Sequence, residues 1–199
     1  MKKNKLFILP GWGEQTDDQG PVKSHYRELI KAVSKKYDVI PIEFYAGNEH
    51  YSLGSKKSLD DILTGVAEKL LFGTATGHTI LGFSIGALLS YFMAFRFSFK
   101  KTLICSMSPF LSSDVDLYSK KELSSFTLNQ IKGLRGAEYS DLILKTRMSF
   151  FWGEKEQELL KRRSAYLGGL PSGRGFEIKG AGHKIEGDYL KAVVKELLK

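Results

Sequence analysis

The sequence predicts an α/β fold built on a doubly wound, mostly parallel sheet of about six strands, and three observations carry that expectation. Short apolar runs alternate with longer segments whose apolar residues recur at helical spacing, which is the pattern of strand–helix–strand crossovers. The runs are apolar at successive positions, as in strands buried on both faces. The chain has 199 residues, 42% of them hydrophobic and 26% charged, enough for one good-sized core and too few for two comfortable domains.

The first strand is the run at residues 6–9, closed by Pro10-Gly11-Trp12-Gly13. Residues 24–37 follow as a helix with Tyr26, Leu29, Ile30 and Val33 on one face. Residues 38–44 make the second strand, with Pro41 an objection to it unless the strand lies near a sheet edge, because proline donates no ladder hydrogen bond. Ser58-Leu59-Asp60-Asp61 opens the next helix as a capping box, with Ile62, Leu63, Val66 and Leu70 facing inward. A third strand at 78–83 leads into a helix at 85–97, and a fourth strand covers 102–107. From 109 to 147 the pattern turns polar, with two short helices expected at 120–131 and 137–144. A strand at 148–152, a helix at 157–167, a strand at 175–179 and a last amphipathic helix complete the chain. That last helix carries Tyr189, Leu190, Val193, Val194, Leu197 and Leu198.

Composition narrows the function classes. Cys105 is the one cysteine, so no intrachain disulfide forms and a reducing compartment is expected. The basic start Met1-Lys2-Lys3-Asn4-Lys5 precedes an apolar run too short for a signal peptide, and no stretch approaches the roughly 20 apolar residues of a membrane span. A cytoplasmic protein is expected. The net charge of +8 comes mostly from scattered pairs such as Lys35-Lys36, Lys56-Lys57 and Lys100-Lys101, beside no nucleic-acid motif, so it reads as solvated surface. No nucleic-acid partner is expected.

Open parallel sheets bind ligands beyond the carboxyl ends of their strands. Gly82-Phe83-Ser84-Ile85-Gly86 lies at such an end, between the run Thr79-Ile80-Leu81 and a helix. Small residues two before and two after a serine permit a sharp strand-to-helix turn that exposes its hydroxyl. A serine needs a base. Of the four histidines, His25 is early in a helix, His50 is in a loop, and His78 starts a strand at the wrong end. His183 follows the last strand in Gly180-Ala181-Gly182-His183, where it can fold back over the strand ends. The base needs a carboxylate. Glu154 and Glu156 follow the strand at 148–152, while Asp114 and Asp116 follow the fourth strand; Glu156 is preferred, and the choice stays open. Ile85 and Trp12 are the expected N–H donors to an oxyanion.

Together these segments resemble the α/β-hydrolase superfamily over nearly the whole chain. The resemblance is carried by Pro10-Gly11-Trp12-Gly13, by the elbow glycines Gly82 and Gly86 around Ser84, by Gly153-Glu154-Lys155-Glu156 and by Gly180-Ala181-Gly182-His183. It implies a catalytic triad of Ser84, Glu156 and His183, with Trp12 and Ile85 binding the substrate oxyanion and no cofactor or metal. It implies one domain over 1–199, a minimal member lacking the N-terminal hairpin, with residues 111–146 as a short helical lid. The oxyanion segment and elbow are also similar to those of pimeloyl-acyl-carrier-protein methyl ester esterases. The function implied is a serine esterase or thioesterase acting on a small acyl ester. The alternative is a non-catalytic binding protein on the same fold. Lid residues Leu117, Tyr118, Leu123, Phe126 and Ile131 would wall an acyl chain, or pack on the body. Lys120, Lys121, Lys132 and Arg135 would attract an acidic carrier protein, or serve solubility alone.

Overall fold

The computed structural model describes residues 3–11, 26–42, 59–72, 75–107 and 147–199. In chain order its elements are β1 (Asn4–Leu9), α1 (Arg27–Val33), β2 (Tyr37–Pro41), α2 (Leu59–Phe72), β3 (Thr79–Phe83), α3 (Ile85–Arg96), β4 (Lys101–Cys105), β5 (Met148–Gly153), α4 (Glu158–Gly168), β6 (Gly173–Ile178) and α5 (Gly187–Leu198). The six strands form one sheet in the order β2-β1-β3-β4-β5-β6, and every neighbouring pair is parallel.

The side-chain period of two divides β1 between the faces of that sheet. Leu6 and Ile8 join a core with Leu29 and Val33 of α1 and Tyr189, Val193 and Leu197 of α5. Phe7 and Leu9 join a second core with Val66 and Leu70 of α2, Leu88 and Leu89 of α3 and Leu160 of α4. Both faces are therefore covered, which is why the strand runs read as continuously apolar. Among the described residues, no helix is long and apolar enough to cross a membrane.

Several boundaries differ from the expected ones for local reasons. The first helix begins at Arg27 and ends at Val33. Tyr37 belongs to β2, where its hydroxyl donates to the Leu197 carbonyl at 2.8 Å. Pro41 ends β2, which is an edge strand, so its missing N–H breaks no central ladder. β4 stops at Cys105, two residues early, because Ser106 turns to φ +50°. The segment expected to be a lid, 111–146, lies outside the described residues, as do Ser58 of the capping box and the helices at 120–131 and 137–144.

Part of the positive charge closes the end of α5. The last carbonyls of a helix have no partner within it. The Lys36 ammonium donates to the Leu198 carbonyl at 2.7 Å and the Lys101 ammonium to the Glu196 carbonyl at 3.0 Å. Burial, followed by the nearby Lys36, holds the Lys101 ammonium below its usual range.

Candidate active site

The sheet reverses its winding between β1 and β3, so the crevice of the fold opens at the carboxyl ends of those two strands. Ser84 occupies that point. Its backbone is at φ +54°, ψ −119°, an uncommon conformation for a residue with a side chain, and it joins β3 directly to α3. The Ser84 N–H continues the ladder to the Cys105 carbonyl at 3.0 Å, while its own carbonyl accepts from Ala87 at 3.1 Å and Leu88 at 3.3 Å. The turn is thus fixed from both sides.

The glycines around Ser84 are required by close approach. A Cβ on Gly82 would fall on the Gly86 carbonyl and the Ser90 hydroxyl. A Cβ on Gly86 would fall on the Leu9 carbonyl. The second contact brings the end of β1 against the first turn of α3, so the segment after β1 starts beside the serine. That segment contains Trp12, which lies outside the described residues; Gly11, its neighbour, donates to the buried Tyr26 hydroxyl at 3.2 Å. Ile85 opens α3, whose first turn carries no acidic residue, so no side chain of that turn offsets the positive end of the helix.

The turn after β5 and the loop after β6 are joined along their length. Glu154 N–H donates to the Ile178 carbonyl at 3.0 Å and Lys155 N–H to the Ala181 carbonyl at 2.9 Å. Gly153 permits that approach, since a Cβ there would lie 2.5 Å from the Ala181 oxygen. Gly180, at φ +70°, turns the chain back so that His183 reaches Phe83, with ring centroids 4.9 Å apart. Phe83 immediately precedes Ser84, which places His183 at the serine's end of β3.

The two neighbouring glutamates separate clearly. Glu154 is exposed and accepts from Gly180 N–H at 2.8 Å, a contact that supports the histidine loop. The Glu156 side chain is fully buried, and its Oε2 lies 3.8 Å from Nδ1 of His183, whose own side chain is 43% exposed. That separation is an ion-pair distance, longer than a hydrogen bond. Among the described residues Oε2 has no hydrogen-bond partner, whereas Oε1 accepts from Gly153 N–H at 3.1 Å and from the Ser106 hydroxyl. The free acceptor of the carboxylate therefore faces the histidine. Asp114 and Asp116 lie outside the described residues, as do His25 and His50. His78 is at the amino end of β3, accepting from Lys5 N–H at 3.4 Å, and has no place in this cluster.

Two residues beside Glu156 were not singled out from the sequence. Ser106, at φ +50°, follows β4 as Ser84 follows β3. The apolar run at 102–107 hides it inside a longer strand, and its position at a carboxyl end is the signal in the sequence. Tyr189 follows the apolar spacing of the last helix, which gives no sign of a polar role. Its buried hydroxyl lies 2.8 Å from the Ser106 hydroxyl and donates to the Phe151 carbonyl at 2.8 Å. Burial, with smaller contributions from Cys105 and Glu156, pushes the Tyr189 hydroxyl well above its ordinary range. Burial and then the Glu156 charge likewise push the Cys105 thiol up, so Cys105 is a packed neutral thiol and no rival nucleophile.

Neither the models of protein families nor the curated proteins include a match to this sequence. Solved structures do match in shape. An α/β hydrolase enzyme from the metagenome of lagoon sediments at Mar Chica, Morocco, superposes with a TM-score of 0.65 at 18% identity, covering 99% of this chain and 90% of that one. The carboxylesterase CesB from Bacillus subtilis gives 0.64 at 13% identity, covering 99% and 83%. The type II thioesterase BorB of the borrelidin biosynthetic cluster gives 0.63 at 16%, covering 99% and 92%. These likenesses span different hydrolases and point to no single one, the pimeloyl-acyl-carrier-protein ester esterases included. At such identities they speak for architecture alone, and with the all-parallel six-stranded sheet they establish that this chain has the α/β-hydrolase fold.

Proposed function

We propose that the chain is a serine hydrolase that cleaves a carboxylic ester or thioester through an acyl-enzyme on Ser84. The observation that carries this reading is the joint placement of a positive-φ serine at the crevice and a histidine backed by a buried carboxylate oxygen at 3.8 Å. In the first half-reaction, His183 takes the Ser84 proton as the hydroxyl oxygen attacks the acyl carbonyl carbon. The Ile85 N–H, with Trp12 as second donor, holds the oxyanion. His183 then returns the proton to the departing alcohol or thiol, leaving the acyl group on Ser84. In the second half, His183 deprotonates a water that attacks the acyl carbon, and the carboxylic acid leaves as Ser84 regains its proton. Glu156 orients the imidazole and stabilises its positive charge throughout. No metal or cofactor takes part.

In this reading the segment 111–146 is the lid of the single domain, its apolar residues packing on the body or walling the acyl chain and its basic residues serving solubility or meeting an acidic carrier. A fluorophosphonate probe at neutral pH tests the proposal. Labelling that depends on Ser84 supports it, and absence of labelling contradicts it. A second reading is a non-catalytic binding protein on the same fold, favoured by the 3.8 Å gap between Nδ1 and Oε2, which exceeds a hydrogen bond. Catalytic hydrogen bonds in free enzymes often tighten only when substrate binds, so the gap is compatible with catalysis.

A further inference from the structure

We infer that Ser106 and Tyr189 are positioning residues for the triad acid: the Ser106 hydroxyl holds Oε1 of Glu156, and Tyr189 holds Ser106, so that Oε2 alone is left for His183. This rests on the reading of Ser84, Glu156 and His183 given above.

The proton inventory shows how the chain of contacts works. The Phe151 carbonyl only accepts, and it takes both the Ser106 N–H at 2.8 Å and the Tyr189 hydroxyl at 2.8 Å. Tyr189 has one proton, and it is committed to two acceptors at once, that carbonyl and the Ser106 oxygen, each 2.8 Å away. Burial keeps the phenol protonated, so the commitment persists across the working pH range. Ser106 also has one proton, and an ionised Glu156 is an acceptor only, so that proton goes to Oε1. The Gly153 N–H supplies a second donor to the same oxygen at 3.1 Å.

Two elements thereby reach one carboxylate oxygen, and a third stands behind Ser106. Ser106 comes from the end of β4, Gly153 from the end of β5, and Tyr189 from the first turns of α5. The cost of the arrangement is visible in the Ser106 backbone, held at φ +50°, where a residue with a side chain is uncommon. That turn brings the hydroxyl to Glu156 and the N–H to Phe151 at the same time. All three groups, Ser106, Glu156 and Tyr189, are buried, so water offers no substitute donor. With Oε1 doubly occupied, rotation of the carboxylate away from His183 would break two hydrogen bonds in a buried site.

The test is Ser106→Ala, Ser106→Gly and Tyr189→Phe, each assayed for hydrolysis of a short-chain aryl ester and for the rate of phosphonylation of Ser84. Loss of a hydrogen bond to a charged group predicts a fall in kcat of about 10-fold to 100-fold for Ser106→Ala, with KM within about twofold. Tyr189→Phe is expected to fall less, because Ser106 keeps its own bond to Glu156. In a Glu156→Gln background Ser106→Ala should cost nothing further, since Ser106 acts only through that carboxylate. If alanine at 106 prevents folding, Ser106→Gly relaxes the positive-φ turn while still removing the hydroxyl, and gives the same readout. Full activity in the Ser106 variants, or a loss that persists undiminished beside Glu156→Gln, overturns the positioning role. A wild-type protein in which the probe never reaches Ser84 overturns the hydrolase reading itself, and this inference with it.

Discussion

The side chain of Glu156 is buried with one carboxylate oxygen, Oε2, facing Nδ1 of His183 at 3.8 Å, while Glu154, two residues earlier, is turned outward to hold Gly180. The same turn thus gives two glutamates opposite duties. Glu156→Gln is expected to lower kcat by about 10³-fold to 10⁴-fold, the scale seen when the acid of such a triad becomes an amide. Glu154→Gln keeps an acceptor for Gly180 and is expected to stay within about threefold of wild type. Ester turnover by the two purified variants, with Asp114→Asn beside them, decides the matter. A crippled Asp114→Asn with an active Glu156→Gln contradicts the assignment.

The elbow glycines give a stability prediction that does not depend on activity. Gly86→Ala would press a methyl onto the Leu9 carbonyl, and Gly82→Ala onto the Gly86 carbonyl. Backbone atoms of a central strand and helix cannot give way cheaply, so each change is expected to destabilise by about 1–3 kcal/mol or more. Gly65 is the contrasting case, inside α2 with nothing within 4 Å of an added Cβ. Gly65→Ala is expected to stabilise by about 0.5–1 kcal/mol, since glycine is the poorer helix former. Urea denaturation of the three variants measures both signs.

Cys105 gives a reactivity and a pH prediction. Its folded thiol is pushed above its ordinary value by burial, while the unfolded thiol ionises at about 8.5. Below that pH both states keep the proton and stability is unaffected. Above it the unfolded chain loses its proton and the folded chain does not, so stability falls as pH rises. Cys105→Ala is expected to lower stability at pH 7 through the lost packing, yet to flatten the decline between about pH 8.5 and 10. Equilibrium unfolding across that range checks the slope. Iodoacetamide should leave the native thiol unmodified and alkylate it in denaturant, as read by intact mass.

Much of the architecture was legible because burial on both sheet faces leaves a strong trace. Leu6, Phe7, Ile8 and Leu9 are apolar in succession since two helical layers cover β1, and the same holds for Ile80 and Leu81 in β3. Pro41 counts against a strand from local sequence, and only the edge position of β2 makes it harmless. Helix ends were less legible: Tyr37 continues the apolar spacing of α1, but its hydroxyl reaches the end of α5, a contact with no trace in local sequence. The strand-turn-helix context marked Ser84, and the glycines marked the loop of His183. The choice between Glu154 and Glu156 depends on which carboxylate the turn buries, which spacing alone does not encode. Ser106 and Tyr189 were missed for a related reason. A serine near a strand end and a tyrosine on an apolar helix face look ordinary until the fold brings their hydroxyls together.

A nucleophilic Ser84 served by His183 reacts with an acylating or phosphonylating probe where other serines do not. Purified wild-type protein and Ser84→Ala are incubated with a fluorophosphonate at neutral pH, and the adduct is located by mass spectrometry of the digested protein. A single adduct on the Ser84 peptide, absent from Ser84→Ala, is the predicted result. An unlabelled wild-type protein, or equal labelling of the two, would contradict the account.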